Sequence, residues 1–102
     1  MSSKDFKAWL DKMPGKNNTL HVTGSVEVPT SGWTGSLVER VPPGINPSIL
    51  ILDVRLVKPT GTVSDVISFV SLHFQKQHAE QYKQVTIIGA GEDFTIPVSE
   101  TN

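Results

Sequence analysis

Apolar and polar residues alternate along residues 19–28, which have the sequence TLHVTGSVEV. A period of two places successive side chains on opposite faces of a strand, so this segment is predicted to be a half-buried antiparallel strand. Gly24 interrupts the apolar face, and we expect a bulge or a close backbone approach there. The apolar face contains Leu20, Val22, Val26 and Val28.

Weaker or shorter alternating patterns predict further strands at residues 34–41, 49–57, 83–88 and 94–98. The last two segments are predicted to form a hairpin around residues 89–93. Pro97 has no backbone N–H to donate, so we expect the final strand to lie at an edge of the sheet. The predicted buried core contains Leu20, Val22, Val26, Leu50, Leu52, Val54 and Leu56.

The segment 65–76 carries two competing patterns. Its apolar residues alternate, which favours a strand, but Val66, Phe69, Val70 and Phe74 also fit a helical stripe. The β-branched content favours the strand, and the helix remains the alternative.

Residues 4–13 are predicted to form a short amphipathic helix. Phe6, Trp9, Leu10 and Met13 follow the spacing of one helix face, and Pro14 follows them at the expected end. We expect this face to cover the open end of the β core. The alternative is that it docks on a partner or on a membrane surface.

Composition supports an all-β class. The 102 residues form a single predicted domain, 1–102, with the helix at 4–13 and the β core at 19–98. Val, Ile and Thr together number 28, whereas Leu and Ala number 10, and β-branched side chains favour strands. We predict an antiparallel β-sandwich of five to seven strands. A strongly bent small barrel of the Sm or SH3 kind is the alternative.

The net charge and the absence of recognisable targeting segments limit the kinds of binding partner that we expect. The net charge of −1 and the small number of arginines, two in the chain, argue against nucleic acid as a binding partner. No segment is long and apolar enough to span a bilayer, and no export signal is visible, so a cytoplasmic protein without a membrane partner is expected. We expect a protein partner or self-association.

A search for reactive side chains predicts no catalytic residue, no cofactor and no metal site, and therefore no enzyme. The absence of Cys excludes thiolate chemistry. His21, His73 and His78 lack the spacing within one strand or helix that would aim two imidazoles at a metal. Gly89 and Gly91 superficially match a phosphate-binding loop, but no Lys follows them and no helix is predicted there.

Two short motifs resemble known families. The loop Pro29-Thr30-Ser31-Gly32-Trp33 resembles the Pro-Thr-Thr-Gly-aromatic loop of the chagasin-type inhibitors of cysteine proteases. This resemblance implies an immunoglobulin-like domain that binds through Thr30, Ser31, Gly32 and Trp33. The competing hypothesis is that Trp33 folds back as a core anchor. Residues 85–96 resemble the end motif of Sm-like proteins, with Ile88 in place of the usual arginine, which implies a nucleic-acid-binding barrel.

A broader resemblance covers residues 19–98, which look like a group of small bacterial β proteins of no assigned activity. It implies a β fold and transfers no catalytic residue. We therefore predict a non-enzymatic binding or structural domain that acts through protein–protein contacts. A homo-oligomer is also predicted, because strand 49–57 has no residue that guards an edge and has an apolar strip of Ile49, Ile51 and Val57.

Overall fold

The computed structural model describes residues 3–12, 18–41 and 44–101 of the chain. Every regular element in this part is a strand, so the predicted all-β class is confirmed, as is the predicted number of five to seven strands. The strands are β1 (Ser3–Asp11), β2 (Thr19–Val28), β3 (Thr34–Glu39), β4 (Ile49–Val57), β5 (Ser68–Gln77), β6 (Gln84–Ile88) and β7 (Phe94–Thr101).

One curved sheet contains all seven strands, in the order β3-β4-β6-β7-β1-β2-β5. Four of the six pairings among the described residues are antiparallel, but β1 pairs with β7, and β4 with β6, in parallel. The predicted antiparallel arrangement is therefore found in most pairings but not in these two. Parallel neighbours need long connections, and here other strands of the sheet lie within those connections.

β7 joins the two halves of the sheet. Its first residues, 94–97, pair with β6, whereas its later residues, 98–101, pair with β1. The prediction that this strand lies at an edge is wrong, since β7 has a neighbour on each side. Pro97 is tolerated because it lies where β7 passes from one partner to the other.

The sheet curls until its two edge strands approach each other, which gives a nearly closed, barrel-like shape. At one point Gly35 of β3 lies against the side chains of Val70 and Leu72 of β5. Near the other end of β3, Lys76 Nζ lies 2.8 Å from Glu39 Oε1. No backbone pairing joins β3 to β5 in the described part of the chain, so the two edge strands meet through side chains.

The core lies inside this curl. Leu20, Val22, Val26, Leu50 and Leu52 are buried, as predicted. Val54 and Leu56 are only half-buried. The reason is that β6 pairs with β4 over residues 49–53 alone, so the second half of β4 extends past its neighbour. The other buried apolar residues include Ala8, Leu10, Val28, Leu37, Val70, Leu72, Val85 and Ile87.

The predicted helix at 4–13 is wrong in the described residues, because residues 3–11 form β1; Met13 and Pro14 lie outside the described residues. A helix of ten residues is marginal in water by itself. As a strand, the same segment pairs with β2 on one side and with β7 on the other, and it buries Ala8 and Leu10. Tertiary hydrogen bonding and burial therefore override the helical spacing.

A bulge in β1 explains the glycine that interrupts β2. The pairing of β1 with β2 shifts between Lys4 and Lys7, and Asp5 has a φ of 56°. The bulge places the ring of Phe6 against the backbone of Gly24, where the added Cβ of an alanine would lie 2.4 Å from the ring. The prediction of a bulge or a close approach at Gly24 is thus confirmed.

The remaining predictions concern edges and boundaries. Residues 68–77 form β5, so the strand prediction for this region is confirmed and the helix is wrong. β4 lies between β3, which pairs with its residues 52–57, and β6, which pairs with its residues 49–53, so β4 is an interior strand rather than an edge strand of the sheet. The homo-oligomer stays a prediction. Ile51 is covered by the segment that contains Gly44 rather than by a helix.

Candidate functional site

The four predicted site residues lie in the connection between β2 and β3, at one end of the curved sheet. The sheet register pairs Val28 with Ser68, and Thr34 with Val57. Because β3 and β5 also approach each other, the connection between β4 and β5 lies at this same end. The end is therefore built from two connections, residues 29–33 and 58–67.

Hydrogen bonds fix the first connection. Trp33 Nε1 donates to Thr30 Oγ1 over 2.9 Å, and the half-buried indole packs against the core. The N–H of Ser31 donates to the carbonyl of Ser64 over 3.1 Å, and the N–H of Ser64 donates to Ser31 Oγ over 3.2 Å. The four residues therefore lie together, but Trp33 folds back toward the core instead of projecting from a loop tip.

Gly32 is required at its position by conformation and by space. Its φ of +88° lies in the left-handed region that other residues adopt at a cost, and a Cβ there would lie 2.8 Å from Pro59 Cβ. The two connections thus pack directly on each other.

Large apolar side chains are exposed at this end. Val57, Val66, Ile67 and Phe69 are exposed by 61, 61, 64 and 51%. We call these four residues the apolar end surface. A cleft of about 250 Å³ adjoins Ile67, and its other lining residues are Glu27, Val28 and Pro29. Sequence reasoning missed this surface, because it spans β4, a connection and β5.

The opposite end of the curved sheet contains ion pairs. Arg40 donates two hydrogen bonds to Asp53, over 2.7 and 3.2 Å. These bonds lower the pKa of Asp53 and raise that of Arg40. The hydrogen bonds of Lys76 to Glu39 likewise raise the pKa of Lys76. Each of these charges has an opposite partner, which is typical of structural ion pairs.

A small cavity of about 180 Å³ lies at the same end as these ion pairs. Glu39, Asn46, Ile49 and Tyr82 are among its lining residues. Its charged lining groups belong to the ion pairs described above, so it presents no free acid and base facing each other.

No family model, curated protein or solved structure matches the chain. A functional assignment therefore rests on the chain's own residues and their geometry. Within the described ranges, no helix is long and apolar enough to cross a membrane.

Two histidines that are distant in sequence lie close together on the outer face of the sheet. The ring centroids of His21 on β2 and His73 on β5 are 6.1 Å apart, and Trp9 of β1 stacks on His21 at 5.2 Å. His78 follows β5 and is not part of this group. Spacing within one strand could not reveal the pair, whereas the pairing of β2 with β5 does. In the described part of the chain, no three His, Asp or Glu side chains form a group that could hold a metal ion.

Proposed function

We propose that this protein is a non-enzymatic β domain that binds a protein partner through the apolar end surface. The observation that carries the proposal is the exposure of Val57, Val66, Ile67 and Phe69 at one end of the molecule. Exposed apolar side chains favour the binding of a partner, because their burial against it removes them from water.

The fixed connections beneath this surface support the proposal. The bonds between Ser31 and Ser64, and the contact of Gly32 with Pro59, hold the two connections in one arrangement. A surface that is already ordered loses less conformational entropy when it binds. The neighbouring cleft beside Ile67 offers a place for one apolar side chain of the partner.

The architecture we propose is the bent barrel rather than the two-layer sandwich. Two features support it: β7 continues from one half of the sheet to the other, and β3 approaches β5. In this arrangement the loop with Trp33 supports the barrel end, so the residues of the chagasin-like motif act as a scaffold for the apolar end surface.

The experiment compares two isoleucines at different places on the molecule. Ile67→Asp places a charge in the apolar end surface, whereas Ile45→Asp makes the same change at a fully exposed residue in the connection between β3 and β4. Partners captured by the wild-type chain are identified and purified, and each affinity is measured by calorimetry. We expect Ile67→Asp to weaken binding by about tenfold or more and Ile45→Asp to leave it unchanged.

Equal binding by the wild-type chain and the Ile67→Asp variant would contradict the proposal. Light scattering at high concentration tests whether the partner is a second copy of the chain. Inhibition of a papain-type protease that is lost in a Trp33→Ala variant, but kept in Ile67→Asp, would instead support the inhibitor hypothesis.

A further inference from the structure

The outer face of three adjacent strands brings together Trp9, His21 and His73. The register places Trp9 of β1 directly opposite His21 of β2. It places His73 of β5 opposite Thr23, the next residue of β2 on the same face. The two imidazoles are therefore diagonal neighbours on adjacent strands, which is a distance that side chains of this length can bridge.

The ring arrangement indicates which kind of ligand this face can take. The rings of Trp9 and His21 are nearly parallel, at 18°, and their centroids are 5.2 Å apart, close to the spacing of neighbouring strands. One face of each ring is therefore covered by the other ring. A stacked base or sugar needs a free ring face, whereas a metal ion binds a nitrogen at the ring edge.

We propose that His21 and His73 form a two-imidazole site for a first-row divalent metal ion such as Zn²⁺, Ni²⁺ or Cu²⁺. Their centroids are 6.1 Å apart with the rings tilted by 30°, so small side-chain rotations bring one nitrogen of each ring to the same ion. Imidazole is a preferred ligand of these metals, and water completes the coordination. The ion binds reversibly, because the protein supplies only two ligands.

The residues around His21 and His73 affect how tightly this pair binds a metal ion. The stacking of Trp9 restricts the ring of His21, which reduces the entropy lost when the metal binds. Lys7 lies on the same face, with its ammonium 5.9 Å from the centroid of Trp9. Its positive charge opposes a bound cation, so Lys7→Gln is expected to increase the affinity for metal.

Calorimetric titration of the tag-free chain with Zn²⁺ and with Cu²⁺ tests the proposal. We expect one ion per chain, with affinity lowered by about tenfold or more in His21→Gln and in His73→Gln. His78→Gln is the matched control and should bind as the wild-type chain does. Failure to bind millimolar metal, or equal losses in all three variants, would overturn the proposal.

A second measurement separates metal binding from damage to the fold. A metal that binds the folded chain raises its thermal midpoint. Zn²⁺ should therefore raise the midpoint of the wild-type and His78→Gln chains but not that of His21→Gln or His73→Gln. Circular dichroism without metal checks that each variant is folded. A rise of equal size in all four chains would contradict the assignment.

Discussion

Gly24→Ala tests the contact between β1 and β2 that the bulge creates. In the structure, a Cβ on Gly24 would lie 2.4 to 2.6 Å from three carbons of the Phe6 ring, which is closer than any real contact of this kind. The ring cannot simply turn away, because it also packs edge-on against Phe94, with centroids 5.3 Å apart. The added methyl group must therefore displace the Phe6 ring, the bulge or β2.

The expected magnitude follows from two opposing effects. Replacing glycine by alanine inside a strand normally stabilises by about 0.5–1 kcal/mol, since the unfolded chain loses freedom. Forcing an extra carbon into a filled space costs about 1–3 kcal/mol. We expect the clash to dominate, with a net loss of about 1–2 kcal/mol in the free energy of unfolding. The thermal midpoint of a chain of this size then falls by about 4–8 °C for each kcal/mol.

A double-mutant cycle with Phe6→Ala isolates the clash. Urea unfolding gives the free energy for the wild-type chain, for each single variant and for the double variant. Without the ring, Gly24→Ala should become neutral or stabilising. If Phe6→Ala does not fold, Phe6→Leu replaces it, and the cost of Gly24→Ala should then be reduced rather than abolished. The same cost of Gly24→Ala with and without the aromatic ring would refute the reasoning.

Three further predictions concern the core and the ion pairs. Leu52 is fully buried, so Leu52→Ala should lower the free energy of unfolding, measured with urea, by about 2–5 kcal/mol. Val54 is half-buried, so Val54→Ala should lower it by less. Equal losses in the two variants would contradict the observed burial. The lowered pKa of Asp53 stabilises the folded chain above the ordinary value of 3.8, and this contribution is lost as pH falls through the lowered pKa. Asp53→Asn should therefore show a smaller loss of stability on acidification than the wild-type chain. The raised pKa of Lys76 stabilises below the ordinary value of 10.5, and this contribution is lost as pH rises through the raised pKa. The Lys76 side chain is 32% exposed, so solvent weakens its ion pair with Glu39. Glu39→Gln should therefore lower the free energy of unfolding by only about 0.5–1 kcal/mol at neutral pH, and stability should depend less on pH in the alkaline range. An unchanged dependence of stability on alkaline pH would contradict this prediction.

The local alternation of apolar and polar residues was enough to predict the strands that have one buried face and one exposed face. The predicted bounds of 19–28 and 49–57 agree with β2 and β4, because alternating burial is recorded directly in the order of apolar and polar residues. The β-branched content decided correctly for β5. The predicted core also holds where β6 pairs with β4 and weakens at Val54, where β6 has ended.

Only the tertiary structure decided the state of residues 3–11. Phe6, Trp9 and Leu10 satisfy helical spacing, yet the strand gains two neighbours, β2 and β7, and a bulge places Phe6 over Gly24. Such pairing depends on segments that are distant in sequence, so no local pattern reports it. The same reason explains why Pro97 lies in an interior strand.

The candidate sites depend even more on strand pairing. The loop with Trp33 could be noticed from the sequence, but its attachment to Ser64, and the position of Ile67 at the same end of the sheet, required the register of the strands. His21 and His73 are separated by two complete strands and become neighbours only when β2 pairs with β5. Sequence order fixes which face each side chain takes, whereas the partner across that face is chosen by the burial and hydrogen bonding of the whole sheet.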